Sequence, residues 1–192
     1  MVNLFVEQIP PLYLCCDTLI TAQDVASASR FQNERRRMEH LAWRRIVRRE
    51  LGKQVTIEYN EVGAPQVDSE GRQISVAHCD ERVAVAIADE RVGVDIERID
   101  RDFSRVAERI MSQQERSLTT EDCWAGMVWC AKEAMYKYYG NKGVDLLHDL
   151  QILEFDAATK RMGGQLPNRE LVTIDISIYE ERYIVATATS KR

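Results

Sequence analysis

The sequence predicts an α+β protein of two similar halves, each a helix packed on about three antiparallel strands. Three observations lead there. Two strongly patterned helical segments, 31–51 and 123–139, stand well apart in the chain. Short β-branched runs surround each of them, and the order of elements repeats about a point near residue 90. The expected halves are therefore 1–90 and 91–192, which suits a chain of 192 residues.

The elements follow in order. Residues 2–7 alternate as a short strand, ended by the paired Pro10 and Pro11. From Phe31 to Leu51 the pattern is helical, and Gly52 supplies the stop. VTIEYN at 55–60 alternates as a strand, and NEVGAPQVDSEGR reads as a polar loop. QISVAH (73–78), VAVAIA (83–88) and VGVDIERI (92–99) are three closely spaced strands, expected as a meander. DFSRVAERIM is helical, and SQQE at 112–115 has the form of a capping box. CWAGMVWCAKEAMYKYY forms a strong helix ending near Gly140, after which LQILEF, LVTIDISIY and RYIVATAT return to strand.

Composition narrows the function classes. A hydrophobic fraction of 45% is ordinary for a globular chain, and a net charge of −5 argues against general affinity for nucleic acid. One segment reverses that charge: residues 30–49 hold eight arginines against two glutamates. The five cysteines, Cys15, Cys16, Cys79, Cys123 and Cys130, form no CxxC pair, and their odd number speaks against a disulfide framework. The N-terminal run lacks a basic n-region and is interrupted by Glu7 and Pro10. No stretch approaches a membrane span. The expectation is a cytoplasmic protein with no membrane or nucleic-acid partner.

Two groups of residues carry recognisable chemistry. Asp95 and Glu97 in VGVDIERI share one face of a strand, with Val94 and Ile96 on the other. Two like charges side by side repel unless a cation lies between them, and two oxygens suit a hard divalent ion. On the later helix Trp129, Glu133 and Lys137 recur every four residues along one face. Alone, Glu133 and Lys137 read as an ordinary helical ion pair. Beside an acid pair, Glu133 becomes a third ligand and Lys137 a cation aimed at a phosphate.

The arginine helix places Arg37, Arg44 and Arg48 in a narrow arc. That arc suits a solvated face, RNA, or a polyphosphate ligand. Net acidity and the lack of an aromatic stacking platform count against RNA. His78 ends its strand alone, and neither His40 nor His148 extends it into a catalytic pattern.

Taken together, these segments resemble a family. VGVDIERI matches the G-[IV]-D-[IVL]-E strand, and WCAKEAMYK the W-x-x-K-E-[AS]-x-x-K helix, of the 4′-phosphopantetheinyl transferases. RIMSQQE joins them as the family's own linking segment does. ISVAHC resembles its F-N-I-S-H-S stretch, RRRMEHLAWR its early basic helix, and GNKGVDLLHDLQI its G-K-G-L segment. The likeness spans roughly residues 30–155. The chain length resembles that of the single-chain, surfactin-synthetase-activating type, which implies that the two halves form a pseudo-dimer. Three positions differ from the pattern: Ala77 and Cys79 flank the histidine where serines are usual, and Ala64 stands in the loop where the family has lysine.

The resemblance implies an enzyme that moves 4′-phosphopantetheine from coenzyme A to a serine of an apo acyl- or peptidyl-carrier protein, releasing 3′,5′-ADP. It implies Mg²⁺, with Mn²⁺ as the alternative, held by Asp95, Glu97 and Glu133. Glu133 and Lys137 take the catalytic roles; Arg37, Arg44, Ser75, His78, Lys132 and Lys137 bind the coenzyme. The rival expectation is a module that binds coenzyme A or a carrier without catalysis. Trp124, Met127 and Val128 are read as core first and carrier surface second.

Overall fold

The computed structural model describes residues 1–10 and 17–191. Pro11, Cys15 and Cys16, singled out above, lie outside the described residues. The first part of the chain contains β1 (Val2–Gln8), α1 (Ala22–Ala28), α2 (Glu34–Leu51), β2 (Ile57–Tyr59), β3 (Pro65–Val67), β4 (Gln73–Cys79) and β5 (Arg82–Ala88). It continues through β6 (Gly93–Arg98), α3 (Ser104–Ile110), α4 (Gln113–Arg116), α5 (Trp124–Tyr139), β7 (Gln151–Asp156), β8 (Arg161–Gln165), β9 (Leu171–Tyr179) and β10 (Tyr183–Ser190). The mixed α+β class holds, with antiparallel pairing throughout.

Local chemistry sets the element ends. Asn33 caps α2, its side chain accepting from the Arg36 N–H, so the helix starts three residues after the Phe31 of the expected span. The Ser112–Glu115 capping box forms as its spacing predicts, on a helix of only four residues. Gly140 ends α5 in the left-handed region at φ 70°, where a side chain would be strained.

The strands sort into a three-stranded sheet, β1-β5-β4, a five-stranded sheet, β6-β10-β9-β8-β7, and the β2–β3 hairpin. The expected meander is therefore broken. β4 and β5 pair as a hairpin, but β6 leaves that sheet and pairs with β10, Asp95 facing Ala186 and Glu97 facing Ile184. Burial explains the exchange. Val83, Val85 and Ile87 point from β5 into the core under α2, beside Leu41, Ile46 and Val47. Ala84, Ala86 and Ala88 point the other way, against Val94, Ile96 and Val185. VAVAIA thus alternates large and small because both faces are covered, and its small face admits the second layer.

α5 lies on the five-stranded sheet with Met127, Val128, Ala131 and Met135 fully buried against Ile152, Ile174 and Ile184. Trp124, Met127 and Val128 are core, as first read. β8, with the sequence RMGGQ, adds a strand that periodicity did not reveal, because two glycines erase the pattern. A Cβ at Gly164 would lie 2.8 Å from the Met135 methyl, so the glycine lets α5 settle onto the sheet.

The closest approach is at Gly93, the first residue of β6. A Cβ there would stand 1.9 Å from the Ala134 carbonyl oxygen and 2.7 Å from the Tyr138 nitrogen, both backbone atoms of α5. Strand and helix backbones therefore touch where the first functional residues begin. Gly93→Ala is expected to cost about 3 kcal/mol, the upper end for overpacking, because backbone cannot step aside as a side chain can. Urea unfolding of the variant checks this; an unchanged midpoint would show that α5 is free to move off β6.

Candidate functional site

The packing of α5 on β6 brings the two predicted motifs together. Lys137 donates from Nζ to the Val94 carbonyl at 2.9 Å and to Asp95 Oδ1 at 2.8 Å. Asp95 is buried, and its second oxygen, Oδ2, has no hydrogen-bond partner among the described residues. A buried carboxylate oxygen without a donor costs free energy, so the position is one that a cation would relieve. Glu97, two residues along the same strand face, pairs with Arg101, whose guanidinium stacks between the rings of Phe103 and Trp129 at 5.1 and 5.2 Å.

Glu133 completes the acidic group. Burial raises its pKa above the usual carboxylate range, and the charges of Asp95 and Glu97 raise it further, against Lys137 and Arg101. Burial likewise raises that of Glu97, with Arg101 opposing and Asp95 adding to the rise. The acids thus feel one another, which is the arrangement a shared cation would favour. Among the described residues no three His, Cys, Asp or Glu side chains stand together as a finished metal cluster. Lys137 and Arg101 hold one oxygen each of Asp95 and Glu97 in the present arrangement. The donor chemistry, all oxygen with one orphaned and buried, fits a hard divalent ion.

A cavity of about 240 Å³ opens beside this group. Val62, Gly63, Ala64 and Pro65 of the β2–β3 connection form one wall and Ile74, Ser75 and Val76 of β4 another; Tyr136, Lys137, Gly140 and Asn141 close it from α5. Ser75 and Lys137 therefore line one space. Ser75 Oγ also accepts the Val94 N–H at 3.0 Å, stitching β4 to β6 across the two sheets. His78 stands nearby with Nε2 3.0 Å from Arg36 Nη1 and Nδ1 3.5 Å from Glu39. Burial lowers its pKa; Glu39 opposes this, while Arg36 and Lys137 add to it, which favours the neutral ring.

Other expected coenzyme residues take different places. Arg44 is 3% exposed, and it donates to Asp24 Oδ1 at 3.0 Å and to His40 Nε2 at 2.8 Å. Arg48, equally buried, donates to the same aspartate and to the carbonyls of Lys53 and Val55. Arg44 and Arg48 are thus turned inward, and neither the solvated face nor an open anion site describes Arg44. Arg37 donates to the Phe31 carbonyl at 2.6 Å. Lys132 is wholly buried, donating to the Ile110 and Leu146 carbonyls and pairing with Glu115 at 2.8 Å. Glu115 also accepts the Ile152 N–H, so this pair bolts α4, α5 and β7 together. None of Arg37, Arg44 and Lys132 lines the cavity.

Sequence reasoning missed three participants. Asp24 sits on α1, a short helix whose Thr21–Asp24 capping box was the available signal. Arg101 follows Glu97 by four residues and becomes visible only when the chain turns back toward α5. Glu39, buried among Arg35, Arg36 and His78, is hidden in the basic run.

The arrangement has the chemistry of a phosphate-ligand site: oxygen donors for a cation and a lysine, both beside a cavity. The model of the 4′-phosphopantetheinyl transferase superfamily matches residues 91–188, just over half of the chain. The chain belongs to that superfamily. The matched part contains Asp95, Glu97, Glu133 and Lys137, whereas Ser75, His78 and the arginine helix lie before it. No curated protein matches the chain. Among the described residues, no helix is long and apolar enough to cross a membrane.

The inward arginine network carries its own pH dependence. Burial first, and then the Arg44 charge, push the His40 pKa down from 6.5 to about 4. The unfolded state therefore takes up its proton first, and this group's stabilisation is complete above pH 6.5 and lost as pH falls through 4. NMR titration is expected to place His40 near pH 4. The stability advantage of the parent over His40→Gln is expected to shrink by roughly 3 kcal/mol between neutral pH and the folded pKa. A ring titrating at its ordinary value, with a pH-independent difference, would contradict this.

Proposed function

We propose that the protein transfers 4′-phosphopantetheine from coenzyme A to a serine of an apo acyl- or peptidyl-carrier protein, releasing 3′,5′-ADP, with Mg²⁺ as its metal and Mn²⁺ as the alternative. The observation that carries the proposal is the meeting of Asp95, with its orphaned oxygen, and Lys137 at the wall of a cavity. Membership of the superfamily supports phosphopantetheine transfer as the reaction class.

Each residue has a task under this reading. Asp95, Glu97 and Glu133 would hold the divalent ion. When bound, that ion supplies neutralisation of charge on the pyrophosphate. Lys137 uses two of its three ammonium protons on Val94 and Asp95, leaving the third for a phosphate oxygen. Anchored in this way, it presents positive charge where the leaving phosphate gains negative charge. The carrier serine attacks the β-phosphorus, the bond from that phosphorus to the bridging oxygen breaks, and 3′,5′-ADP departs. Glu133, or a water at the site, takes the serine proton. Neutral His78 and Ser75 line the approach of the coenzyme, and the carrier is the acidic protein partner of a monomeric enzyme.

Mass spectrometry of an apo-carrier incubated with coenzyme A, Mg²⁺ and the protein tests the reading, a gain of one phosphopantetheine being the expected result. A carrier that gains nothing while coenzyme A still binds would leave a binding module instead. Asp95→Asn and Glu133→Gln are expected to lower the rate by about a thousandfold while the urea midpoint stays near that of the parent. Parent-like rates in both variants would remove these acids from the mechanism.

A further inference from the structure

Coenzyme A is a polyanion, yet among the described residues Lys137 is the one basic residue lining the cavity. The neighbouring arginines are already engaged. Arg35 and Arg36 pair with Glu39, Arg37 with the Phe31 carbonyl, and Arg44 and Arg48 with Asp24. Lys142 differs from all of these. It is exposed, has no carboxylate partner among the described residues, and donates only to the Glu61 carbonyl, at 3.3 Å.

Its position is at the edge of the cavity. Asn141, the residue before it, and Val62, the residue after its acceptor, both line the space. Lys142 therefore spans from the end of α5 to the β2–β3 connection, bridging two walls of the cavity at its edge. Gly140 and Gly143, with φ 70° and 78°, make the turn that carries it there. A long contact to an exposed neutral oxygen is cheaply exchanged for charge-assisted bonds to phosphate, and the released carbonyl can turn to water.

We propose that Lys142 is a coenzyme-binding residue that grips a phosphate of coenzyme A at the cavity edge. This rests on the coenzyme A reading of the site. Calorimetric titration of the full chain with coenzyme A, for the parent, Lys142→Met and Lys142→Arg, at low and at physiological salt, tests it. Lys142→Met is expected to bind about tenfold more weakly with a shallower salt dependence, and Lys142→Arg to stay within about threefold of the parent. In turnover, KM for coenzyme A rises while kcat and the KM for the carrier hold. Parent-like affinity in Lys142→Met overturns the proposal. So does weaker binding with an unchanged salt slope, since a lysine that merely ties the loop to α5 would give that result. A parent that fails to bind coenzyme A sinks the reading of the site itself, and the Lys142 proposal with it.

Discussion

The backbone contact between Gly93 and α5 is the constraint on which the site depends. With no side chain between them, strand and helix approach until the missing Cβ would fall inside the Ala134 carbonyl. Lys137, one turn further along α5, then reaches the Val94 carbonyl and Asp95 in a single geometry. The same approach buries Asp95 and crowds Glu97 and Glu133 into one region, so that their charges repel. The fold tolerates this because Lys137 and Arg101 each answer one acid. What remains uncompensated is one oxygen of Asp95.

Charge has a second and opposite use in this chain. Arg44 and Arg48 share Asp24 in the interior, and Lys132 shares Glu115 beneath α5. Breaking such a pair by removing one partner leaves a buried charge alone, at a cost of about 3–5 kcal/mol. These groups fix α1 on α2, and α4 on α5 and β7. The site acids differ because their cations are half-exposed or reach only part of the carboxylate. Fully matched buried polarity builds the scaffold here, whereas at Asp95 one buried oxygen is left without a partner among the described residues.

Much of this was legible in the sequence. Alternation in VGVDIERI put Asp95 and Glu97 on one face, and four-residue spacing put Glu133 and Lys137 on another; α5 on β6 joined them. Helix ends at Asn33 and Gly140 follow from capping chemistry. The strand order was not legible, because β6 chooses between two sheets by a tertiary fit of small side chains on β5, which local pattern does not encode. The second sheet has five strands where about three were expected, since β6 joins it from the expected meander and the glycines of β8 mask its period. Arg44 misled because helical periodicity shows which residues share a face, and not what covers that face. Lys132 misled for the same reason, with Glu115 seventeen residues away in sequence.

The central claim is that Asp95, Glu97 and Glu133 together bind one cation when the coenzyme is present. Electron paramagnetic resonance of Mn²⁺ titrated into the protein with coenzyme A present measures it directly, independently of turnover. The account predicts one bound ion per chain, lost when Asp95 becomes Asn and displaced by excess Mg²⁺. An Asp95→Asn protein that binds Mn²⁺ as the parent does would contradict it.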